Sequence, residues 1–226
     1  MKLVVVIPAF NESLIIYRVI KALPKKVKGI DKIEILVVDD GSTDATSKEA
    51  KKTNAYVISH IINRGVGAAT KTGIEWAKQQ NADIIATFDA DGQHDPLDLV
   101  KIIKPIIVGQ ADLVIGSRLK KRQKIPIDRF LINWFANFVT FFLFGVFSTD
   151  SQSGLRAFTK KAIAKINLKN DRMEFSSEVL SEAKRHNLRI VEVPTRAIYT
   201  KYSREKGQSN LNAIPVAARL LIRFLR

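Results

Sequence analysis

The chain predicts an α/β fold, a mostly parallel doubly wound sheet with amphipathic surface helices, and three observations carry that expectation. Short apolar runs rich in strand formers alternate with helical segments through the first half. The run at residues 84–88 is continuously apolar in character, as in a strand covered on both faces. Carboxylate-rich clusters follow three of the strands, at the ends where open α/β sheets bind ligands.

Residues 3–7 form the first strand. Its apolar run is only about five residues, below the roughly seven to fifteen of a signal-peptide core, and it ends at Pro8. A helix near residues 14–23 stops at Pro24. Residues 33–38 are the second strand, opening into Asp39-Asp40-Gly41-Ser42-Thr43-Asp44 and then a helix. A third strand spans residues 56–59, a helix residues 65–79, and a fourth strand residues 84–88. Asp95-Pro96 marks a helix start, with an N-cap acid and proline at the first helical position. Pro105 is expected to kink or end that helix early. Residues 113–117 are a further strand.

The second half changes character. Residues 118–124 are a basic run, and residues 130–147 are almost wholly apolar and dense in phenylalanine. At about 1.5 Å per residue that segment is roughly 27 Å long, marginal for a membrane span. Asn133, Asn137 and Thr140 align as one polar stripe, which suits a helix lying in the membrane surface. A buried core helix or a dimer interface is the alternative. Residues 211–226 are again apolar, with Arg219, Arg223 and Arg226 at helical spacing. They read as a second interfacial helix or a packed terminal helix with a solvated arginine edge.

A chain of 226 residues suits a single α/β domain over residues 1–226. With no cysteine, disulfides, thiolate metal sites and a cysteine nucleophile are excluded. His60, His94 and His186 are scattered, contrary to a zinc site. The formal charge of +15 calls for an anionic partner. No nucleic-acid module is present and the basic residues are not interleaved with stacking aromatics, so no nucleic acid is expected.

Asp89-Ala90-Asp91-Gly92-Gln93-His94 is the most informative stretch. It holds two hard carboxylate ligands close together at a strand end, and Gln93 adds a third oxygen. A hard divalent cation that also binds phosphates needs such a partial shell. A solvated acidic turn capping the next helix is the other reading. Clusters at residues 8–12 and 39–44 on the same rim point to a shared ligand cleft.

The chain resembles the family 2, GT-A-type glycosyltransferases, especially the polyprenyl-phosphate sugar transferases. The resemblance rests on Ile7-Pro8-Ala9-Phe10-Asn11-Glu12, Val37-Val38-Asp39-Asp40-Gly41-Ser42-Thr43-Asp44, Asn63-Arg64-Gly65-Val66-Gly67, the stretch from Asp89 to His94, and Asp150-Ser151-Gln152-Ser153-Gly154-Leu155-Arg156. These run in family order over roughly residues 1–160, with a weaker match to 210.

The resemblance implies a GT-A (Rossmann-like) fold whose residues 1–118 bind a GDP- or UDP-linked sugar and whose residues 119–226 serve the acceptor. Glu12 and Asp40 would meet the nucleotide, with Pro8 and Phe10 as the wall of its pocket. Asp39 would contact the nucleotide or hold the turn, and Gly67 would allow close backbone approach or pack a helix. Asp91 and Gln93 would bind Mg²⁺ or Mn²⁺ on the diphosphate, with Asp89 as ligand or sugar contact. Ser117, Arg118, Arg129 and Arg204 would hold the phosphate of a polyprenyl (dolichyl-type) acceptor. Asp150 would orient acceptor or sugar, although a helix cap or an ion pair with Arg156 is also open. Asp91, Asp150 and Arg118 are the expected catalytic residues.

If residues 130–147 spanned a bilayer, Asp150 and Arg156 would lie on the opposite side from Asp91. The helix is therefore expected on the surface, placing the protein on the cytoplasmic face as a peripheral or monotopic enzyme, with a membrane-protein partner or a second copy possible. Asn210 departs from the pattern by standing where lysine is usual, with Arg204 and Lys206 able to supply the charge. The chain ends without the membrane-spanning helices of many relatives, so it attaches by surface helices or is part of a longer one. A saccharide or protein acceptor, or a non-catalytic basic binding protein, are the competing functions.

Overall fold

The computed structural model describes residues 1–120 and 125–198. Within these residues seven strands form one sheet: β1 (Lys2–Ala9), β2 (Lys32–Asp39), β3 (Tyr56–Ser59), β4 (Ile84–Thr87), β5 (Leu113–Ser117), β6 (Arg156–Thr159) and β7 (Ile190–Pro194). Their spatial order is β3-β2-β1-β4-β6-β5-β7. All pairings are parallel except those of β6, which runs against both β4 and β5. The sheet is thus mixed and mostly parallel.

Among the described residues seven helices connect the strands: α1 (Ile16–Ala22), α2 (Thr46–Lys51), α3 (Val66–Gln79), α4 (Asp98–Ile107), α5 (Ile127–Phe144), α6 (Lys160–Lys165) and α7 (Phe175–Arg185). The continuous apolar run of β1 is explained by burial on both faces. Leu3, Val5 and Ile7 join a core with α1 and α4. Val4 and Val6 point the other way, into a core with α3, α6 and α7. In α4, Leu99, Ile102, Ile103 and Ile106 are buried at helical spacing, each contributing roughly 2 kcal/mol.

Two boundaries differ from the sequence expectation. Asp95-Pro96 begins a tight turn, with the Asp98 and Leu99 amides donating to the carbonyls of Asp95 and Pro96, and α4 proper starts at Asp98. Pro105 sits inside α4, which continues to Ile107. In its last turn the missing proline N–H and ring disturb little of the helix that follows.

The sequence reading assigns no strand after residue 117. β6 is short, with only Ala157 and Phe158 apolar, whereas β7 carries the strand formers Ile190, Val191 and Val193, which that reading passes over. The antiparallel insertion matters for the site. Arg156, the first residue of β6, pairs with Thr87 and Ile115, so the segment before β6 meets the rim where β4 and β5 end. The order reverses between β1 and β4, a topological switch point that opens a crevice there.

Candidate active site

The loops after β1 and β2 are stapled together. Asn11, in the left-handed region at φ 54°, accepts the Thr43 amide at 2.8 Å and donates its own amide to Ser42 Oγ at 2.8 Å. The Glu12 amide donates to Thr46 Oγ1 at 2.7 Å, and the Ser13 amide to Asp44 at 3.1 Å. Burial alone would raise Asp44, but hydrogen bonds from Thr46 and Ser13 outweigh it and hold the carboxyl down to about 2. Glu12 is buried, Pro8 half-buried and Phe10 exposed on this side of the crevice.

Asp39 and Asp40 act on neighbouring backbone. Asp39 accepts the Ser42 amide at 3.1 Å and Ser59 Oγ at 3.4 Å. Asp40 accepts His60 Nδ1 at 2.7 Å, the Arg64 amide at 3.1 Å and the Gly65 amide at 2.7 Å. Both oxygens of Asp40 therefore fasten residues 60–65 over the end of the sheet. Gly67 has a packing role in this structure, because a Cβ there would strike the Asn170 carbonyl at 2.6 Å.

Asp89 and Asp91 follow β4. Asp89 accepts His94 Nε2 at 3.0 Å, and the His94 ring packs edge-on to Phe88 at 5.6 Å. Burial would raise Asp89, but the His94 hydrogen bond and the charges of His94, Arg118 and Arg156 hold it below the usual carboxylate range. Asp91 accepts the Gln93 amide at 2.9 Å and Gln93 Nε2 at 2.7 Å. Burial, then the neighbouring Asp89 charge, push Asp91 up to about 6. The Asp89 carboxylate lies directly on Gly154, where a Cβ would overlap it.

The opposite wall is built on an ion pair. Arg118 grips Asp150 through Nε and Nη2, each at 2.8 Å, and its amide adds a bond at 2.9 Å. Asp150 is completely buried. The sequence left Asp150 open to an ion pair with Arg156; its hydrogen-bonded partner is Arg118. Arg156 instead donates to the carbonyls of Ser153 at 2.9 Å and Ser151 at 2.7 Å, and burial lowers it to about 10, so it stays charged at neutral pH. Ser117 Oγ contacts Thr149 Oγ1 at 2.7 Å and accepts the amides of Leu119 and Lys120. Arg129 lies in the first turn of α5, half-buried. Arg204, residues 204–210 and the helix expected at 211–226 lie outside the described residues.

Packing decides which way the polar stripe of α5 turns. The polar stripe faces the protein: Asn137 donates to the Thr149 carbonyl at 2.7 Å and accepts the Ser151 amide at 2.8 Å, while Thr140 meets Ser177 of α7 at 2.9 Å. The outward face is aromatic. Trp134, Phe138 and Phe142 are 58%, 53% and 69% exposed and stack with ring centres 6.0 and 6.3 Å apart. Polar side chains turn inward because the 148–151 loop needs backbone partners. Among the described residues no helix is long and apolar enough to cross a membrane.

The crevice thus gathers Glu12, Asp89, Asp91 and Gln93 at the ends of β1 and β4, with Ser117, Arg118 and Asp150 at the end of β5. Residues 4–166 match the family model described as glycosyl transferase family 2. The chain belongs to glycosyl transferase family 2. A UDP-N-acetylglucosamine–dolichyl-phosphate N-acetylglucosaminyltransferase of Methanococcus voltae is 39% identical, over 96% of this chain and 94% of its own. An undecaprenyl-phosphate mannosyltransferase of Micrococcus luteus is 30% identical, over 94% of this chain and 88% of its own. Among solved structures, a glucosyl-3-phosphoglycerate synthase from Mycobacterium tuberculosis, in complex with Mn²⁺, UDP and phosphoglyceric acid, superposes with TM-score 0.70 at 22% identity. That superposition covers 97% of this chain and 78% of the synthase, and it shows that this family 2 glycosyltransferase shares the synthase's GT-A-like fold.

Sequence reasoning missed the purpose of Gly154 and the Ser148–Thr149–Glu192 cluster behind Arg118. Gly154 stood inside a quoted motif, and its position beside Asp89 only in space hid its purpose. Glu192 carried no signal at all. Among the described residues no group of three or more His, Cys, Asp or Glu is assembled as a metal cluster. Asp89 and Asp91 nevertheless offer a hard cation two carboxylates at the end of one strand; burial first, and then the charge of Asp89, raises Asp91, and a bound cation would offset both.

Proposed function

We propose that this glycosyltransferase is an inverting enzyme that moves a sugar from a GDP- or UDP-linked donor to a polyprenyl (dolichyl-type) phosphate at the cytoplasmic membrane surface. One observation carries the reading: the aromatic-faced helix α5 runs straight into the loop that builds the cleft wall. That loop puts Gly154 under Asp89 and Asp150 on Arg118. A water-soluble acceptor gives the exposed Trp134–Phe138–Phe142 ladder no purpose.

The ion pair also bears on acceptor chemistry. A neutral alcohol needs a general base, and Asp150 is buried with both oxygens on Arg118. A phosphate monoester is already anionic and needs cations to hold it. In this reading Arg118 and Arg129 bind that phosphate, and Asp150 orients the Arg118 guanidinium. Ser117, expected from the sequence to touch the phosphate, is buried with its hydroxyl engaged by Thr149 and the Leu119 and Lys120 amides, and holds the loop instead. Both relatives named above have a polyprenyl-type phosphate in their names while their sugars differ.

A phosphate oxygen attacks the anomeric carbon, and the bond to the nucleoside diphosphate breaks with its electron pair leaving on the diphosphate. Glu12, Pro8 and Phe10 bound the nucleotide end, and the loop fastened by Asp40 closes over it. Asp89, Asp91 and Gln93 would hold Mg²⁺ or Mn²⁺, which supplies charge neutralisation for the departing diphosphate. His94 keeps the Asp89 carboxylate aimed into the crevice.

The test incubates the protein with Mn²⁺ or Mg²⁺, UDP- and GDP-sugars and a short polyprenyl phosphate. The expected result is a lipid-linked sugar that Asp91→Ala abolishes. Transfer only to a water-soluble alcohol would overturn the proposal.

A further inference from the structure

We propose that Glu192, on edge strand β7 and outside every motif above, is a positioning residue that sets the Arg118–Asp150 pair through two hydrogen-bonded branches. The inference rests on the acceptor reading of that pair. Glu192 Oε1 accepts Ser148 Oγ at 2.7 Å and the Thr149 amide at 2.8 Å, and Oε2 accepts Thr149 Oγ1 at 2.6 Å. An ionised carboxylate only accepts, so both hydroxyl protons are committed to it.

The direction of every further bond then follows. With its proton on Glu192, Thr149 Oγ1 can only accept from Ser117 Oγ, 2.7 Å away. Ser117 Oγ, having donated, turns its two lone pairs to the amides of Leu119 at 3.3 Å and Lys120 at 3.1 Å, the two residues that follow Arg118. On the second branch Ser148 Oγ accepts the Asp150 amide at 3.2 Å. Lys120 Nζ returns to the Glu192 carbonyl at 2.8 Å. One carboxylate therefore orients the backbone on both sides of the ion pair without touching the acceptor.

Glu192→Gln tests the polarity at almost constant shape. The amide oxygen must stay where the Thr149 N–H and Ser148 donate, so the new NH₂ faces Thr149 Oγ1 and reverses its hydroxyl. Thr149 then donates to Ser117, which has two lone pairs for three donors and must release an amide beside Arg118. Glu192→Gln and Thr149→Val are each expected to raise KM for a short polyprenyl phosphate about tenfold, with donor KM within about twofold. The double variant should be no worse than the weaker single, because both cut one relay. Thr149→Ser, which keeps the hydroxyl, should restore the wild-type value.

An unchanged acceptor KM, an equal rise in donor KM, or multiplicative effects in the double variant would overturn the proposal. Amide hydrogen exchange needs no substrate and should quicken at residues 117–120 in Glu192→Gln; unchanged exchange there also overturns it. Failure of the wild type to glycosylate any polyprenyl phosphate sinks the function instead, and leaves the exchange measurement to decide the relay.

Discussion

The carboxylate of Asp89 rests on the α-carbon of Gly154, in the space that a side chain would fill. The two are brought together because β6 runs antiparallel beside β4, and Thr87 Oγ1 donates to the Gly154 carbonyl at 2.6 Å. Gly154→Ala must therefore displace Asp89 from the crevice. Transfer should fall at least about a hundredfold, as expected for misplacement by about 1 Å, while thermal melts register a loss of ~1–3 kcal/mol. Near-normal transfer by a folded Gly154→Ala protein would refute the assigned position of Asp89.

Removing one half of the Arg118–Asp150 pair leaves the other without its charge partner. Asp150→Asn should destabilise the fold by about 3 kcal/mol in urea titrations. The paired variant Arg118→Met/Asp150→Leu should recover most of that stability and no transfer activity. Recovered activity in the double variant would remove both residues from the acceptor site.

Chelation provides a separate test. Stripping divalent ions should abolish transfer, and Mn²⁺ or Mg²⁺ should restore it. Asp91→Asn should lower turnover at least about a hundredfold even with metal in excess. Calorimetric titration of a nucleoside diphosphate should show binding that strengthens with Mn²⁺ in the wild type and not in the variant. Full activity in chelator would reject the metal assignment.

The two faces of α5 make opposite predictions. Phe138→Asp/Phe142→Asp should abolish flotation with anionic vesicles and shift stability by no more than about 0.5 kcal/mol, because both rings are exposed. Asn137→Ala should leave flotation intact and cost about 1–3 kcal/mol, since it orphans the Thr149 carbonyl and the Ser151 amide. The reverse pattern would turn the helix around.

Asp112 sets part of the acid limb of stability. Hydrogen bonds from Arg189 outweigh its burial and hold it down to about 2, from an ordinary value of 3.8. A depressed carboxyl stabilises the folded state above the unfolded pKa, and that contribution is lost as pH falls from near 4 towards 2. Arg189→Met should therefore melt at a modestly lower temperature than the wild type at neutral pH, because the arginine is exposed and its pairing is screened by solvent. The gap in melting temperature should close as pH approaches 2; a gap independent of pH would exclude the linkage.

What was readable from the chain alone was whatever is local. β1 to β5 lie in continuous apolar runs, and the polar clusters at their ends had to share a rim once those strands were parallel. Asp89, Asp91 and Gln93 were legible because their spacing along the chain is already their spacing in the site. What the chain alone could not determine depends on partners far away in sequence. Asp40 looks like a ligand contact until His60, Arg64 and Gly65 supply donors for both its oxygens. The stripe of Asn137 and Thr140 looks solvent-facing until the 148–151 loop claims it, leaving the aromatic face outward. Strand β6, only four residues long, is fixed by its pairing with β4 and β5, and its antiparallel course is what carries Gly154 to Asp89. Periodicity reports which side of a helix is polar; only packing decides whether that side meets water or unsatisfied backbone.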